Sequence, residues 1–350
     1  MKKVFLSIIA MSLLVVSCSN DDDFNPEPLG AYENGILVSG EGGPAGSVSF
    51  ISSDFTTTEN QIYFNVNNEA LGVYLQSIGF NGDLAYIITD TANSITVVDR
   101  YTFEKVTTIT TGLSAPRYIS FANGKAYVSN WGDPNVATDD FIAVLDLTSN
   151  TVESTVLVGE GPEQLISNNE TLFVSHKGGY NTNNIISAMD LSTNTVETIT
   201  VNDVPDEMAF DAAGNLVVLS TGANIVWADP PLETEGAITR INVNDNTVTS
   251  SLEFPVGAHP ELMTYSNGMT YYVLNNSVYG LADADTTLPS TPVFDITANY
   301  AYGMAINNGL LYVTDASFTE QSELLIYDLS SGSELNSFNV GLGASKIYFN

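Results

Sequence analysis

APRYISFANGKAYVSN (115–130) with FIAVLDLTSNTVESTVLVG (141–159) returns one period later as GPEQLISNNETLFVSH (161–176) with IISAMDLSTNTVETITV (185–201). Each copy begins with a proline-led apolar stretch, turns at Asn or Gly, and continues into a strand ending in Tyr-Val or a close relative. A loop of variable length follows, then an apolar strand ending in Asp, a Thr/Ser/Asn turn and a valine-rich strand. The closing aspartates are Asp99, Asp146, Asp190 and Asp328, with Asn242 at the same place in another copy. Four short antiparallel strands in a period of about 40–50 residues predict an all-β chain folded as a β-propeller.

Parsed as inner strand A, then B, C and outer strand D, the copies fall at about 71–112, 113–159, 160–203, 204–257, 258–298 and 299–341. Residues 344–349 are left over and match an inner strand. GILVSG (35–40), GSVSFIS (46–52) and QIYFNVN (61–67) read as three strands that lack an inner partner. Together these fragments make a seventh blade, closed by strands from both ends of the chain, which removes open sheet edges. Counts of six and eight stay open because the fifth copy is divergent; seven is the expectation.

The first 17 residues are not part of this fold. Lys2 and Lys3 precede an apolar run from Val4 to Val16, the pattern of an export signal and too short to span a bilayer. Val15-Val16-Ser17-Cys18 looks like a lipobox, and Cys18 is the one cysteine in the chain. A lone thiol forms no internal disulfide, so lipidation at Cys18 is the expected use, with acyl chains as the sole membrane attachment. Ser19-Asn20-Asp21-Asp22-Asp23 resembles the acidic signal that sends lipoproteins to the outer cell surface, and residues 18–31 read as an acidic, Pro/Gly-rich tether. The propeller then occupies 32–350.

With 41 acidic and 9 basic residues, the formal charge is −32. Nucleic acid is excluded as a partner, because phosphate binding needs clustered Lys and Arg. The repeated aspartates are read as turn residues that satisfy their own backbone, and the Tyr-Val pairs (Tyr127, Val128; Tyr312, Val313) as packing between blades.

The chemically unusual residues sit in the loops of one face. B–C and D–A loops share that face, and they are long; the opposite turns are short and generic, as at Asn123-Gly124 and Asn308-Gly309. Trp131 lies in WGDPNVATDD and Trp227 in GANIVWADPPLETEG. His176, Lys177 and Tyr180 lie in HKGGYNTNN, His259 in a D–A loop, Tyr300 and Tyr302 before the sixth copy, and Phe318 in DASFTEQS. Bulky amphipathic residues gathered on one rim are what a binding surface needs, although each aromatic is also able simply to staple its own loop.

Alignment on the residue after each proline gives a second set: Arg117, Glu163, Asp206 and Glu261, with Leu75 and Tyr302 where the proline is missing. These begin inner strands and are expected to ring the mouth of the central channel. Channel mouths are usually polar and hydrated, so the set is compatible with plain solvation as well as with a bound cation or polar group. No Ser-His-Asp order, HExxH, CxxC or nucleotide-type glycine loop is present, and no catalytic residue is assigned. Asp133 to Asp140 is acidic enough for Ca²⁺, but its spacing matches no EF-hand loop, and no metal ligand is assigned.

On PRYISFANGKAYVSN and its copies, residues 32–350 resemble the YncE-like, YVTN-type seven-bladed propellers. More narrowly, the chain is similar to surface lipoproteins of Bacteroidetes that carry the domain of unknown function 5074. Among that group are the BtuG-type proteins, which capture cobalamin on one propeller face above an outer-membrane TonB-dependent transporter. The resemblance implies a non-enzymatic outer-membrane, cell-surface protein that binds a scarce nutrient, a corrinoid first, and feeds a transporter. It assigns no individual contact. Two other readings remain at this point: a channel-mouth metal-dependent hydrolase or lyase using Glu163, Asp206 and Glu261, and an adhesion propeller for protein or glycan.

Overall fold

A computed structural model describes residues 28–133, 135–226 and 229–350. Seven four-stranded antiparallel sheets stand as the blades of a propeller. Their inner strands are Leu75–Asn81, Pro116–Ala122, Pro162–Ser167, Pro205–Phe210, Glu261–Ser266, Ala301–Asn307 and Ala344–Phe349. In blade seven the last strand of the chain pairs with the first, Gly35–Gly40, which pairs in turn with Ser47–Ser52. Val38 lies opposite Ile347, so the ring is closed by hydrogen bonds between the two ends of the chain.

The turns explain why the repeat has the residues it has. At Asn123-Gly124, Asn267-Gly268 and Asn308-Gly309 both residues have positive φ, the primed hairpin geometry that Asn and Gly tolerate. At the other turn, one oxygen of Asp190 accepts from the backbone N–H groups of Ser192 and Thr193, each at 2.8 Å. Asp99, Asp146 and Asp328 do the same, and Asn242 Oδ1 accepts from Asn244 N. These residues hold the C–D turns, as the sequence predicts. Between blades the sheets pack face to face through buried Ile, Val, Leu and Tyr side chains, Tyr127 and Tyr312 among them.

One predicted strand is wrong. QIYFNVN is not the outer strand of blade seven: Ile62–Asn67 is an α-helix, and the outer strand is only Thr58–Glu59. The alternation of Ile62, Phe64 and Val66 looked like a strand face. Instead Ile62 and its neighbour Tyr63 are both buried, while Phe64 and Val66 are exposed. Gln61 and Asn68 at the helix ends adopt the left-handed conformation. The helix places Asn67 against the next blade, where its amide donates to Phe103 O and accepts from Lys105 N, each at 2.9 Å.

Candidate functional site: the channel mouth

All seven inner strands break register near their first residue, a β-bulge repeated around the ring. In blade two Pro116 pairs with Asn130 and pairing resumes at Ile119, leaving Arg117 and Tyr118 unpaired. The same break frees Gln76, Glu163 with Gln164, Asp206 with Glu207, Leu262, Tyr302 and Ser345. A bulge bends its strand and re-aims side chains. Here it delivers them to the channel mouth, where nearly all of these residues line a cavity of about 350 Å³. In blade one the residue that lines the cavity is therefore Gln76; Leu75, named from the sequence, is fully buried in the core.

A second tier comes from the residue just after strand B. In six blades its backbone N–H donates to the carbonyl of a residue just ahead of the inner strand. The pairs are Glu41 to Gly343, Asp90 to Tyr74, Trp131 to Ala115, Lys177 to Gly161, Thr221 to Val204 and Ala316 to Tyr300, at 2.9–3.1 Å. Several of these acceptors have positive φ, including the β-branched Val204 at 59°. A branched residue held there marks local strain at the rim.

Arg117 is the centre of the charged half. It meets Glu163 through two hydrogen bonds and Asp90 through one of 3.1 Å, and its guanidinium lies 3.9 Å from the centre of the Trp131 ring. Trp131 in turn donates its indole N–H to Pro162 O at 3.0 Å and meets Tyr180 edge-on. Lys177 pairs with Asp206 at 2.7 Å and Lys346 with Glu207 at 2.9 Å. Burial works against the Asp206 carboxylate, but the Lys177 and Lys346 ammoniums outweigh it and keep its pKa below the ordinary value. Burial likewise opposes the charge on Arg117, and Glu163 more than restores it. Three of the chain's nine basic residues, Arg117, Lys177 and Lys346, line this one cavity.

The other half is aromatic. Tyr300 and Tyr302 stack with centroids 5.4 Å apart, and Phe318 meets Tyr302 edge-on at 5.7 Å. Tyr302 donates its hydroxyl to Glu41 at 3.0 Å. Burial raises the Glu41 pKa, partly offset by that bond, and burial raises that of Glu261 as well. His259 lines the cavity and donates Nδ1–H to Thr221 O at 2.9 Å.

Among the residues predicted from sequence, the structure brings Arg117, Glu163, Lys177, Asp206, His259, Glu261, Tyr300 and Tyr302 to one cavity. Trp131, Tyr180 and Phe318 stand beside it. His176 does not belong to the rim. It is fully buried, its ring nitrogens facing Ser187 Oγ and Glu160 O, and burial pushes its pKa down to about 4. Trp227 and Cys18 lie outside the described residues. In the acidic loop that follows Trp131, Asp133 accepts from Asn135 N, Asp139 from Asp133 N and Asp140 from Gly161 N, so these carboxylates bond their own surroundings. Among the described residues no group of three His, Cys, Asp or Glu is placed to hold a metal.

Glu41, Gln76, Asp90, Glu207 and Lys346 were missed. Glu41 and Asp90 carry a signal that could have found them, since they follow strand B as Trp131 and Lys177 do. Gln76 and Glu207 depend on the bulge, which no residue pattern announces.

The model of a family described as "Domain of unknown function (DUF5074)" matches residues 34–341. No curated protein matches the chain. Several solved structures share the fold. A functionally unknown protein from Desulfotomaculum acetoxidans is similar with a TM-score of 0.67 and 12% identity, covering 91% of this chain and 99% of that one. A putative 6-phosphogluconolactonase from Bacteroides uniformis gives 0.62 and 11%, covering 91% and 100%. The dihydro-heme d1 dehydrogenase NirN in complex with DHE gives 0.58 and 12%, covering 92% and 77%. At these identities the likeness is one of fold alone.

Proposed function

We propose that this chain, which belongs to the DUF5074 family, is a non-enzymatic capture protein that binds a scarce small-molecule nutrient at the channel mouth. The observation that carries this reading is the convergence on one face of the cavity, the paired charges and the exposed aromatics Tyr180, Tyr300 and Phe318, which are 75%, 49% and 51% exposed. Large exposed aromatic rings beside a concave polar site are typical of recognition surfaces.

A corrinoid is the first ligand to test. Its flat ring suits the rim aromatics and its amide arms suit the carboxylates and amides between them. A cavity of about 350 Å³ admits one substituent, with the ring lying across the mouth. The resemblance in the repeats supports a surface lipoprotein anchored through Cys18 that passes its ligand to an outer-membrane TonB-dependent transporter.

A metal-dependent hydrolase or lyase draws less from the geometry. Of the three carboxylates that would bind the metal, Glu163 is held by Arg117 and Asp206 by Lys177. Calorimetric titration with cyanocobalamin tests the leading reading: saturable heat is expected, weakened by Tyr300→Ala, and no heat at micromolar concentrations sinks the corrinoid assignment. Metabolic labelling with a fatty-acid probe, lost in Cys18→Ala, tests the anchor.

A further inference from the structure

The β-bulge of blade one delivers a buried amide to the cavity with nothing to bond. Gln76 lines the cavity and is only 7% exposed. No described residue donates to its Oε1 or accepts from its Nε2, yet neither atom is sealed from solvent. A polar side chain buried to this degree is normally paired. The charged groups around it are already served. Arg117 holds Glu163 and Asp90, Lys177 holds Asp206, and Lys346 holds Glu207. Glu41 accepts from the Tyr302 hydroxyl, and Glu261 stands exposed at the rim. Tyr118, freed by the bulge of blade two, is a second neutral group of the lining without a partner among the described residues; burial keeps its phenol protonated, with a pKa well above the ordinary value. The unspent hydrogen-bonding capacity in the buried part of the cavity is therefore neutral.

We propose that Gln76 is the specificity-determining residue of this cavity and that it pairs with a primary carboxamide on the ligand. A carboxamide presents a donor and an acceptor side by side, as Gln76 does, so the two amides close a pair of hydrogen bonds, one N–H donating to oxygen in each direction. A ketone of the same shape accepts but cannot donate, and a carboxylate likewise leaves Gln76 Oε1 unpaired. The carboxylate also enters a cavity lined by five carboxylates against three cations, and each of those cations already has its partner. Such discrimination follows because the wrong ligand strands a buried polar group of the protein. The inference rests on the capture reading, since it assigns the chemistry of the group that enters the same cavity; it does not require a corrinoid.

The test titrates the full chain with benzamide, acetophenone and benzoate, probes of nearly one shape, alongside cyanocobalamin. Ligand-detected NMR reads the weak affinities of such small molecules. Benzamide is expected to bind tightest, with a loss of roughly fivefold for acetophenone, the scale of one hydrogen bond, and a larger loss for benzoate. Gln76→Leu should bring benzamide down to the acetophenone level and leave acetophenone itself unchanged. The order of the probes on the wild-type chain is a readout that holds even if the variant folds poorly. Acetophenone binding as tightly as benzamide, a preference for benzoate, or a benzamide preference that survives Gln76→Leu overturns the assignment and leaves capture intact. Cyanocobalamin binding with none of the small probes overturns this inference alone. A benzamide preference without cyanocobalamin binding removes the corrinoid and keeps the carboxamide subsite, and no binding of any of them overturns both.

Discussion

The Arg117 guanidinium grips the Glu163 carboxylate across the boundary between blades two and three, Nη2 to Oε1 at 2.8 Å and Nε to Oε2 at 3.2 Å. Glu163 is 3% exposed, so its charge depends on that grip. Arg117→Met leaves a buried carboxylate without compensation and is expected to cost about 3 kcal/mol in urea denaturation. The double variant Arg117→Met/Glu163→Met should recover most of the loss, since neither charge is then stranded.

Tyr180 contributes little to the fold, being largely in solvent. Tyr180→Ala should leave stability within about 0.5 kcal/mol. If the rim carries recognition, the same substitution weakens ligand binding by about 1 kcal/mol or more. Thermal melts and calorimetry on one preparation separate the two effects.

His176 predicts a specific dependence on pH. Its pKa falls from 6.5 to about 4 on folding, chiefly through burial. Between those values the unfolded chain binds the extra proton, so this residue makes stability fall as pH drops through the window. Asp140, pushed up to about 6 by burial, acts in the opposite sense over an overlapping range. The wild-type curve mixes the two. Subtracting the curve of His176→Gln isolates the histidine, and the difference should grow from about pH 6.5 downward and level off near 4.

Asn67 ties the helix Ile62–Asn67 to the outer strand of blade one. Asn67→Ala removes both of these bonds, along with one to Tyr63 O within the helix, and should cost about 1–2 kcal/mol. Hydrogen exchange at the Lys105 amide should rise in step, because that N–H loses its acceptor.

Much of the fold could be read from the sequence because its turns are chemically marked. Asn-Gly at one turn and Asp followed by Ser or Thr at the other fix strand ends through local hydrogen bonds that any copy must repeat. The seventh blade was legible in the leftover strands, yet its outer strand was not: alternation in Ile62, Phe64 and Val66 suits a strand, and tertiary packing of Ile62 with Tyr63 overrode it. For the candidate site, the residue after each proline picks out Arg117, Glu163, Asp206 and Glu261, which the structure gathers around one cavity. It failed at Leu75, where the bulge hands the position to Gln76. His176 misled because a histidine at the end of strand B points inward or outward according to register, and here it points in.

Closure by both ends of the chain also gives the molecule a direction. Asn350 donates its amide to Tyr32 O and Arg100 O, and Arg100 Nη1 reaches Gly82 O at an A–B turn. Tyr32 itself donates to Tyr101 O at a C–D turn. Both ends therefore emerge among the short turns, on the underside of the ring. The propeller therefore presents its cavity on the face opposite the one where Tyr32 and Asn350 lie, so a fusion or immobilisation tag placed at Asn350 leaves the channel mouth clear.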